Sequence, residues 1–188
     1  GVAGSGGGSL GIQAMSMNNV YDPDYTGTGT QPRGFDQAGT LYKYGKCYKS
    51  VMEATFVTHD NLTNSFPLIC CIAPRKVNQS APTSRNELLE TPGVVTGICG
   101  SAHAGDALKL TYVYEHRKWW GASLGAMDEV RFGLGTESTL KDTNYDAICE
   151  VAYTPHGNVS AADCDGVHIN IRVTYFCILY DRQALAAS

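Results

Sequence analysis

Apolar and polar residues alternate along much of the chain, and a period of two residues predicts β-strands rather than helices. The segment 47–59, CYKSVMEATFVTH, has this pattern. Its apolar face would carry Tyr48, Met52, Ala54 and Phe56. Its polar face would carry Lys49, Glu53 and Thr55. We therefore expect a half-buried strand with one face toward a core.

Three further segments, 66–73, 108–115 and 147–154, have the composition of strands. FPLICCIA at 66–73 is apolar on both faces, which is typical of a strand covered on both sides. LKLTYVYE at 108–115 alternates, with one face formed by Leu108, Leu110, Tyr112 and Tyr114. AICEVAYT at 147–154 has a similar pattern.

The segment 167–180, VHINIRVTYFCILY, is an unusually long strand whose character changes along its length. Its first half has an apolar face of Val167, Ile169, Ile171 and Val173. The opposite face there carries His168, Asn170, Arg172 and Thr174. The second half is apolar on both faces, through Phe176, Ile178 and Tyr180. We expect another chain to cover this second half, because an exposed apolar patch favours association.

One helix start is clear. Ser84 and Glu87 in SRNELLE have capping-box spacing, and Pro92 and Gly93 end the helix after about two turns. The chain shows no repeats, heptads or alternation of strands and helices. The pattern predicts an all-β fold, a single jelly-roll β-sandwich of two packed antiparallel sheets with short loop helices. The predicted boundaries are a flexible glycine-rich segment at 1–11, the jelly roll at 12–183 and a tail at 184–188.

The composition limits which partners and which compartment are expected for this chain. Charged residues make up 17% of the chain and the net charge is −4, so bulk attraction to nucleic acid or an anionic membrane is not expected. No apolar run approaches the length of a membrane span. Most of the seven cysteines lie in apolar runs, which indicates buried free thiols and a reducing compartment.

No catalytic, metal or cofactor site is predicted, and we do not expect an enzyme. The five histidines form no HxH or HExxH arrangement, and there is no GxSxG motif. The glycine-rich stretches lack the lysine and helix of a phosphate-binding loop. Loop carboxylate pairs such as Asp22 and Asp24 are usually solvated, and calcium held with a neighbouring subunit is the alternative.

A basic cluster follows a first part of the chain that has no cations. Its members are Arg33, Lys43, Lys46 and Lys49, with Tyr42, Tyr44 and Tyr48 between them. Cations interleaved with aromatic rings are suited to a nucleic-acid backbone and its bases. Two alternatives remain: solvated lysines guarding a strand edge, and ion pairs with Asp36 or Glu53 across a subunit boundary.

HRKWWGA at 116–122 places two tryptophans side by side. If this segment is a strand, Trp119 and Trp120 point to opposite faces. One then enters the core and the other is covered at a subunit interface. An aromatic platform for a sugar is the competing interpretation.

Three motifs together resemble a known family. MSMNNVYDPDYTGTGTQPRGFDQ at 15–37, followed by LYKY, resembles the first strand and following loop of capsid proteins of small circular Rep-encoding single-stranded DNA viruses. The coats of these viruses are similar to that of satellite tobacco necrosis virus. RKWWG and the closing VHINIRVTYFCILYDR resemble later motifs of the same family. The resemblance spans 12–182, with Thr30 where histidine is frequent.

The resemblance implies a jelly-roll coat protein that associates with itself into an icosahedral shell, most simply of sixty copies, around a single-stranded DNA genome. It implies subunit contacts near the 21–37 loop and the apolar strand end. The expected interface residues are Tyr25, Phe35, Trp119, Trp120, Phe176, Ile178 and Tyr180. The expected genome contacts are Arg33, Lys43, Lys46 and Lys49.

The family's arginine-rich arm is not in this sequence, so either it precedes Gly1 or packaging uses other residues. The expected location is the virion, with assembly inside the host cell, in the nucleus. No membrane partner is expected, and no host receptor is indicated. The alternative is a non-viral jelly-roll binding module, a trimeric ligand or lectin-like protein.

Overall fold

Strands dominate the computed structural model, which describes residues 11–25, 31–58, 67–100, 107–127, 131–134, 146–155 and 167–183. These ranges contain eight strands: β1 (Gly11–Ser16), β2 (Tyr42–Thr58), β3 (Leu68–Lys76), β4 (Val95–Cys99), β5 (Leu108–Glu115), β6 (Arg131–Gly133), β7 (Ala147–Pro155) and β8 (Val167–Arg182). They also contain three short α-helices, α1 (Phe35–Gly39), α2 (Arg85–Glu90) and α3 (His116–Trp120), and a single 3-10 turn at Leu124–Ala126. Predicted segment 1–11, apart from Gly11, and the tail 184–188 lie outside the described residues.

The strands form two antiparallel sheets. The first sheet has the order β1-β7-β3-β4. In the second sheet, β2 is the central strand; β8 runs along one of its edges, and β5 and β6 share the other. Strands that are neighbours in sequence repeatedly belong to different sheets, so the chain wraps around the core.

The pairing is nested. β3 pairs with β4, β2 with β5 outside them, and β1 with β7 outside those. A ribbon of nested antiparallel pairs folded across two sheets is a jelly roll, which confirms the predicted fold class. In the described part of the chain β8 pairs only with β2, so its outer edge has no strand beside it.

The core lies between the two sheets. Met52, Ala54 and Phe56 enter it from β2, and Leu110 and Tyr114 enter it from β5, as the alternation predicted. The outer face of the first sheet is covered as well, because Leu88 of α2 packs on Cys71, Ala73 and Ala152. This explains why segment 66–73 is apolar on both faces.

The helix predicted at 84–90 is α2, and its cap is confirmed. The hydroxyl of Ser84 accepts a hydrogen bond from the backbone N–H of Glu87 at 3.3 Å. The Glu87 carboxylate in turn accepts from the N–H of Thr83 at 2.7 Å, which lowers the pKa of Glu87. The capping residues therefore fix the start of α2, and Leu88 holds the helix against the outer face of the first sheet.

Six described cysteines are free thiols, five of them buried, as predicted, while Cys164 lies outside the described residues. Gly45 shows why glycine is needed within β2. A Cβ atom there would lie 2.5 Å from the ring of Phe132, so only glycine lets β6 approach this closely. Among the described residues, no helix has the length and apolar character needed to cross a bilayer.

Candidate subunit-contact surface

One end of the second sheet carries a cluster of aromatic, aliphatic and cationic side chains on its outer face. We call it the aromatic–cation patch, and its members are Tyr44, Lys46, Tyr48, Lys49, Arg131, Phe176, Ile178 and Tyr180. Cross-strand register brings them together, because Tyr44 lies opposite Tyr180, and Lys46 opposite Ile178. The cluster therefore joins the start of β2 to the end of β8, two segments far apart in sequence.

Ring contacts organise the patch. The ring centroids of Tyr44 and Tyr180 are 5.9 Å apart, and those of Tyr48 and Phe176 are 6.3 Å apart. Ile178 is two positions from both Phe176 and Tyr180 on the same strand face. It is 53% exposed, while Tyr48 and Phe176 are 43% and 40% exposed. A substantial apolar surface therefore faces outward.

A β-bulge places Tyr48 in this patch and corrects the predicted face. Cys47 pairs with Cys177, and Lys49 pairs with Phe176, which is adjacent to Cys177 on β8. Tyr48 is therefore an extra residue in the ladder. Because of this extra residue, Tyr48 does not point inward with Met52. Both Tyr48 and Lys49 instead contact the ring of Phe176.

Lys46 is largely committed to its own chain. Its residue is only 8% exposed, and its Nζ donates to the carbonyls of Leu124 and Met127 at 3.2 and 2.9 Å. Nζ also lies 5.8 Å from the ring centre of Tyr180. Charge-assisted bonds to two carbonyls account for the burial of this cation and secure the 124–127 segment.

The other cations near the patch also have partners within the chain. The Nζ of Lys49 lies 5.8 Å from the ring centre of Phe176, and the guanidinium of Arg131 lies 4.9 Å from that of Tyr44. Lys43 approaches the Asp181 carboxylate at 4.0 Å, with both side chains about half exposed. Each of these three cations therefore already interacts with a ring or a carboxylate of its own chain.

Beyond the patch, the outer face of the second sheet becomes polar. Lys109 forms an ion pair with Glu53, and this hydrogen bond lowers the pKa of Glu53. Arg172 lies opposite Glu53 in the register of β2 and β8. Exposed aliphatic side chains also occur on this face at Val57 and Val113, but the exposed aromatic ring contact of Tyr48 with Phe176 lies at the end that carries the patch.

Phe35 and Tyr25, two predicted interface residues, lie elsewhere. Phe35 begins α1 and is buried, with its ring centre 5.8 Å from Tyr21 and 6.2 Å from Phe132. It fills a core of its own chain, so it is not an exposed anchor. Tyr25 is 42% exposed and lies under the Arg75 guanidinium at 5.9 Å. The TGTGT segment at 26–30 lies outside the described residues.

Trp119 and Trp120 do not lie on a strand, contrary to the sequence-based expectation. Strand β5 ends at Glu115, and the next five residues form α3, so Trp119 and Trp120 do not alternate across a strand. Trp119 packs edge-on against Tyr114 at 5.9 Å, and the Nζ of Lys76 lies 4.7 Å from the ring centre of Trp120. Both tryptophans are half-buried within their own chain.

Arg33 is exposed and sits apart from the predicted lysines. It borders a cavity of about 420 Å³ between the α1 region and β8, together with Phe35, Val173 and Cys177. The basic cluster predicted from sequence is therefore divided: Lys46 and Lys49 belong to the patch, Lys43 pairs with Asp181, and Arg33 borders a cavity. Within the described ranges, no group of three or more His, Cys, Asp or Glu side chains is arranged to hold a metal ion.

Two features of the patch could not be predicted from the sequence. The bulge at Tyr48 has no local signal, because the segment alternates acceptably without it. Arg131 belongs to the short strand β6, whose pairing with Lys46 joins residues distant in the chain. The apolar second half of β8 was the clear signal in the sequence. Phe176 and Ile178 on its outward face are exposed in the single chain, and their coverage by another chain stays a prediction.

The chain is similar in structure to several viral proteins. It is similar to a structure of tobacco necrosis virus, with a TM-score of 0.46, 12% identity, and coverage of 94% of this chain and 88% of that chain. It is also similar to sacbrood virus of honeybee in expansion state II, with a TM-score of 0.47, 14% identity, and coverage of 95% and 97%. Both scores are low, so the fold of this chain rests on its own topology rather than on these likenesses.

No protein-family model matches the sequence, and no curated protein matches it either.

Proposed function

We propose that this chain is the coat subunit of a small virus, and that copies of it associate through the aromatic–cation patch into a closed icosahedral shell. The shell has sixty copies and encloses a single-stranded DNA genome. The subunit functions in the virion and assembles inside the host cell, in the nucleus. The jelly-roll topology is compatible with this role, and the motifs at 15–37, 117–121 and 167–182 resemble such coats.

The observation that carries the proposal is the exposure of Tyr48, Phe176 and Ile178 side by side on one sheet face. Apolar side chains of this size, clustered on a surface, favour association with a partner. Aromatic residues with a cationic rim are the composition found at the centre of protein interfaces. A second copy of the chain is the partner that the coat motifs indicate.

The state of the cations favours a protein contact over a phosphate contact at this patch. Phosphate binding needs accessible ammonium or guanidinium groups that release counterions. Here the Lys46 ammonium is bonded to two carbonyls, and Arg131 lies against the ring of Tyr44. A subunit face requires no such free charge, and aromatic rings with partly satisfied cations desolvate at lower cost.

Genome binding remains a second role, for Lys43, Lys49 and Arg33. Lys43 and Lys49 are only half-buried, so their ammonium groups can reach a phosphate from the rim of the subunit contact. Replacing Lys43 and Lys49 with glutamine should yield particles that carry less nucleic acid. Unchanged nucleic-acid content would contradict this role, and failure to form particles would assign the two lysines to the subunit contact.

The test of the proposal compares two isoleucines on opposite faces of the sandwich. Ile178 in the patch is 53% exposed, and Ile98, on β4 of the first sheet, is 59% exposed. Each is replaced by glutamate in the intact protein, and folding is checked by circular dichroism. Assembly is measured by sedimentation and negative-stain microscopy.

We expect the wild type and Ile98→Glu to form shells, and Ile178→Glu to remain a folded, unassembled subunit. Shell formation by Ile178→Glu would show that the patch is not the contact. A wild type that stays a monomer or trimer under all assembly conditions would contradict the coat role. A trimer would favour the alternative, a non-viral jelly-roll binding module.

A further inference from the structure

Two cysteines face each other across the strands that carry the patch. Cys47 of β2 and Cys177 of β8 are direct partners in the antiparallel register, and Cys177 packs against the buried cluster that contains Cys47. Directly opposed residues in an antiparallel pair have Cα atoms about 4.5–5.5 Å apart. That separation falls within the range that a disulfide spans. Register pairing of this kind therefore gives two cysteines the backbone spacing that an S–S bond requires.

We propose that Cys47 and Cys177 form an oxidisable thiol pair, which a small-molecule disulfide converts into a cross-strand disulfide joining β2 to β8. This modification site is independent of the proposed coat function, because it depends only on the geometry of the two strands. Its consequence is a covalent link on the inner side of the same two strands whose outer side carries the aromatic–cation patch.

The two thiols have different environments, which sets the order of events. Cys47 is 2% exposed, whereas Cys177 is partly exposed and borders the 420 Å³ cavity beside Phe35 and Arg33. The hydrogen bond between the thiols lowers the pKa of Cys177 and raises that of Cys47. Cys177 is thus the accessible thiol with the greater thiolate character, and the thiolate is the attacking species.

The reaction is a thiol–disulfide exchange in two steps. The Cys177 thiolate attacks one sulfur of glutathione disulfide, forms a mixed disulfide and releases one glutathione thiolate. Cys47 loses its proton and attacks the Cys177 sulfur, forming the protein disulfide and releasing the second glutathione. In sum, two protein thiols are oxidised, one glutathione disulfide is reduced to two glutathiones, and no other electron acceptor is needed.

The remaining described cysteines provide an internal comparison. Cys70 and Cys99 also contact each other, but both are buried and they are not register partners, since Cys70 lies opposite Gly97 and Cys99 opposite Leu68. Burial raises the pKa of Cys70 and of Cys71. These thiols lack the access that Cys177 has, so selective oxidation of the Cys47–Cys177 pair is expected.

The test treats the intact, folded protein with glutathione disulfide, blocks residual thiols, and maps disulfides by non-reducing digestion and mass spectrometry. We expect the linked Cys47–Cys177 peptide in the wild type and in the control Cys71→Ser, and its loss on reduction with dithiothreitol. In Cys47→Ser, Cys177 should stop at the mixed disulfide with glutathione. The oxidised wild type should melt about 5 °C or more above the reduced form, as expected for a disulfide closing a long loop.

The wild-type map is decisive even if a cysteine variant folds poorly. Glutathione that remains on Cys177 of the wild type, or linkage of any other cysteine pair in its place, would overturn the proposal. Complete resistance of both thiols in the folded protein would overturn it as well.

Discussion

Tyr48 and Lys49 are adjacent in sequence, yet both contact the ring of Phe176 on the same face of the second sheet. Neighbours in a regular strand point to opposite faces, so this arrangement depends on the β-bulge between Cys47 and Lys49. The bulge brings an additional aromatic ring to the outer face at the point where β8 becomes apolar on both sides. Phe176 is therefore the centre of the patch.

Phe176→Ala should separate assembly from folding. Because Phe176 is 40% exposed, its loss should lower the monomer's free energy of unfolding by only about 1 kcal/mol, measured by urea denaturation. Loss of an aromatic anchor should raise the concentration needed for assembly at least about tenfold. The fully buried Phe56 is the matched control, and Phe56→Ala should cost about 3–5 kcal/mol in folding. Unchanged assembly of Phe176→Ala would contradict the role of the patch.

Much of the fold could be predicted from sequence, because burial imposes a period of two on strands whose two faces meet different surroundings. Val167 to Val173 and Leu108 to Tyr114 follow this rule, and the structure confirms them. The rule fails where a local irregularity changes the phase, as at Tyr48, or where the chain turns into a helix, as at Trp119. Neither change leaves a sign in the alternation itself.

The candidate site was harder to predict, because the sequence shows where a charged side chain lies but not which groups of the folded chain bind it. Lys46 belongs to a basic, aromatic stretch that resembles a nucleic-acid site. Its ammonium reaches carbonyls near residues 124–127, a partner that no local pattern indicates. Lysines of one sequence motif can therefore have different roles in the folded protein.

The lysines of the predicted genome site should differ sharply in their effect on stability. Lys46→Met leaves the part-buried carbonyls of Leu124 and Met127 without their donor, and should lower the free energy of unfolding by about 2–3 kcal/mol. Lys43→Met removes only a long, half-exposed contact with Asp181 and should cost less than about 1 kcal/mol. Urea denaturation of the two variants measures the difference. Equal effects would show that the Lys46 bonds contribute nothing specific.

The ion pair of Arg75 and Glu150 predicts a large single-site effect. Its Nε to Oε1 distance is 2.6 Å, and the side chains are 11% and 2% exposed. Arg75→Met leaves a buried carboxylate without its partner and should cost about 3–5 kcal/mol by urea denaturation. Removing both charges in Arg75→Met with Glu150→Leu should recover most of that loss. A double variant as unstable as the single one would contradict this explanation.

The exposed ion pair of Lys109 and Glu53 provides the control. Lys109→Met should change the free energy of unfolding by less than about 1 kcal/mol, because solvent screens both charges.

His116 predicts a loss of stability in mildly acidic solution. It is 2% exposed, and burial, followed by the charge of Lys46, lowers its pKa. The folded state therefore binds a proton less readily than the unfolded state, whose imidazole has a pKa of about 6.5. The free energy of unfolding should fall as pH drops below about 6.5 and level off below the folded pKa.

Thermal melts between pH 7.5 and 5 measure this effect, and His116→Asn should have a flatter profile than the wild type. The window lies above the usual carboxylate range, so Glu53 and Glu115, whose pKa values are lowered by Lys109 and Lys118, remain charged throughout. An equally steep profile in His116→Asn would assign the pH dependence to other groups.

Cryo-electron microscopy of the intact protein under assembly conditions tests the central claim most directly. The proposal predicts closed shells of sixty copies in which Tyr48, Phe176 and Ile178 are buried against a neighbouring subunit. Particles in which these three side chains face solvent would contradict the assigned contact. A protein that forms only monomers or trimers would contradict the coat function itself.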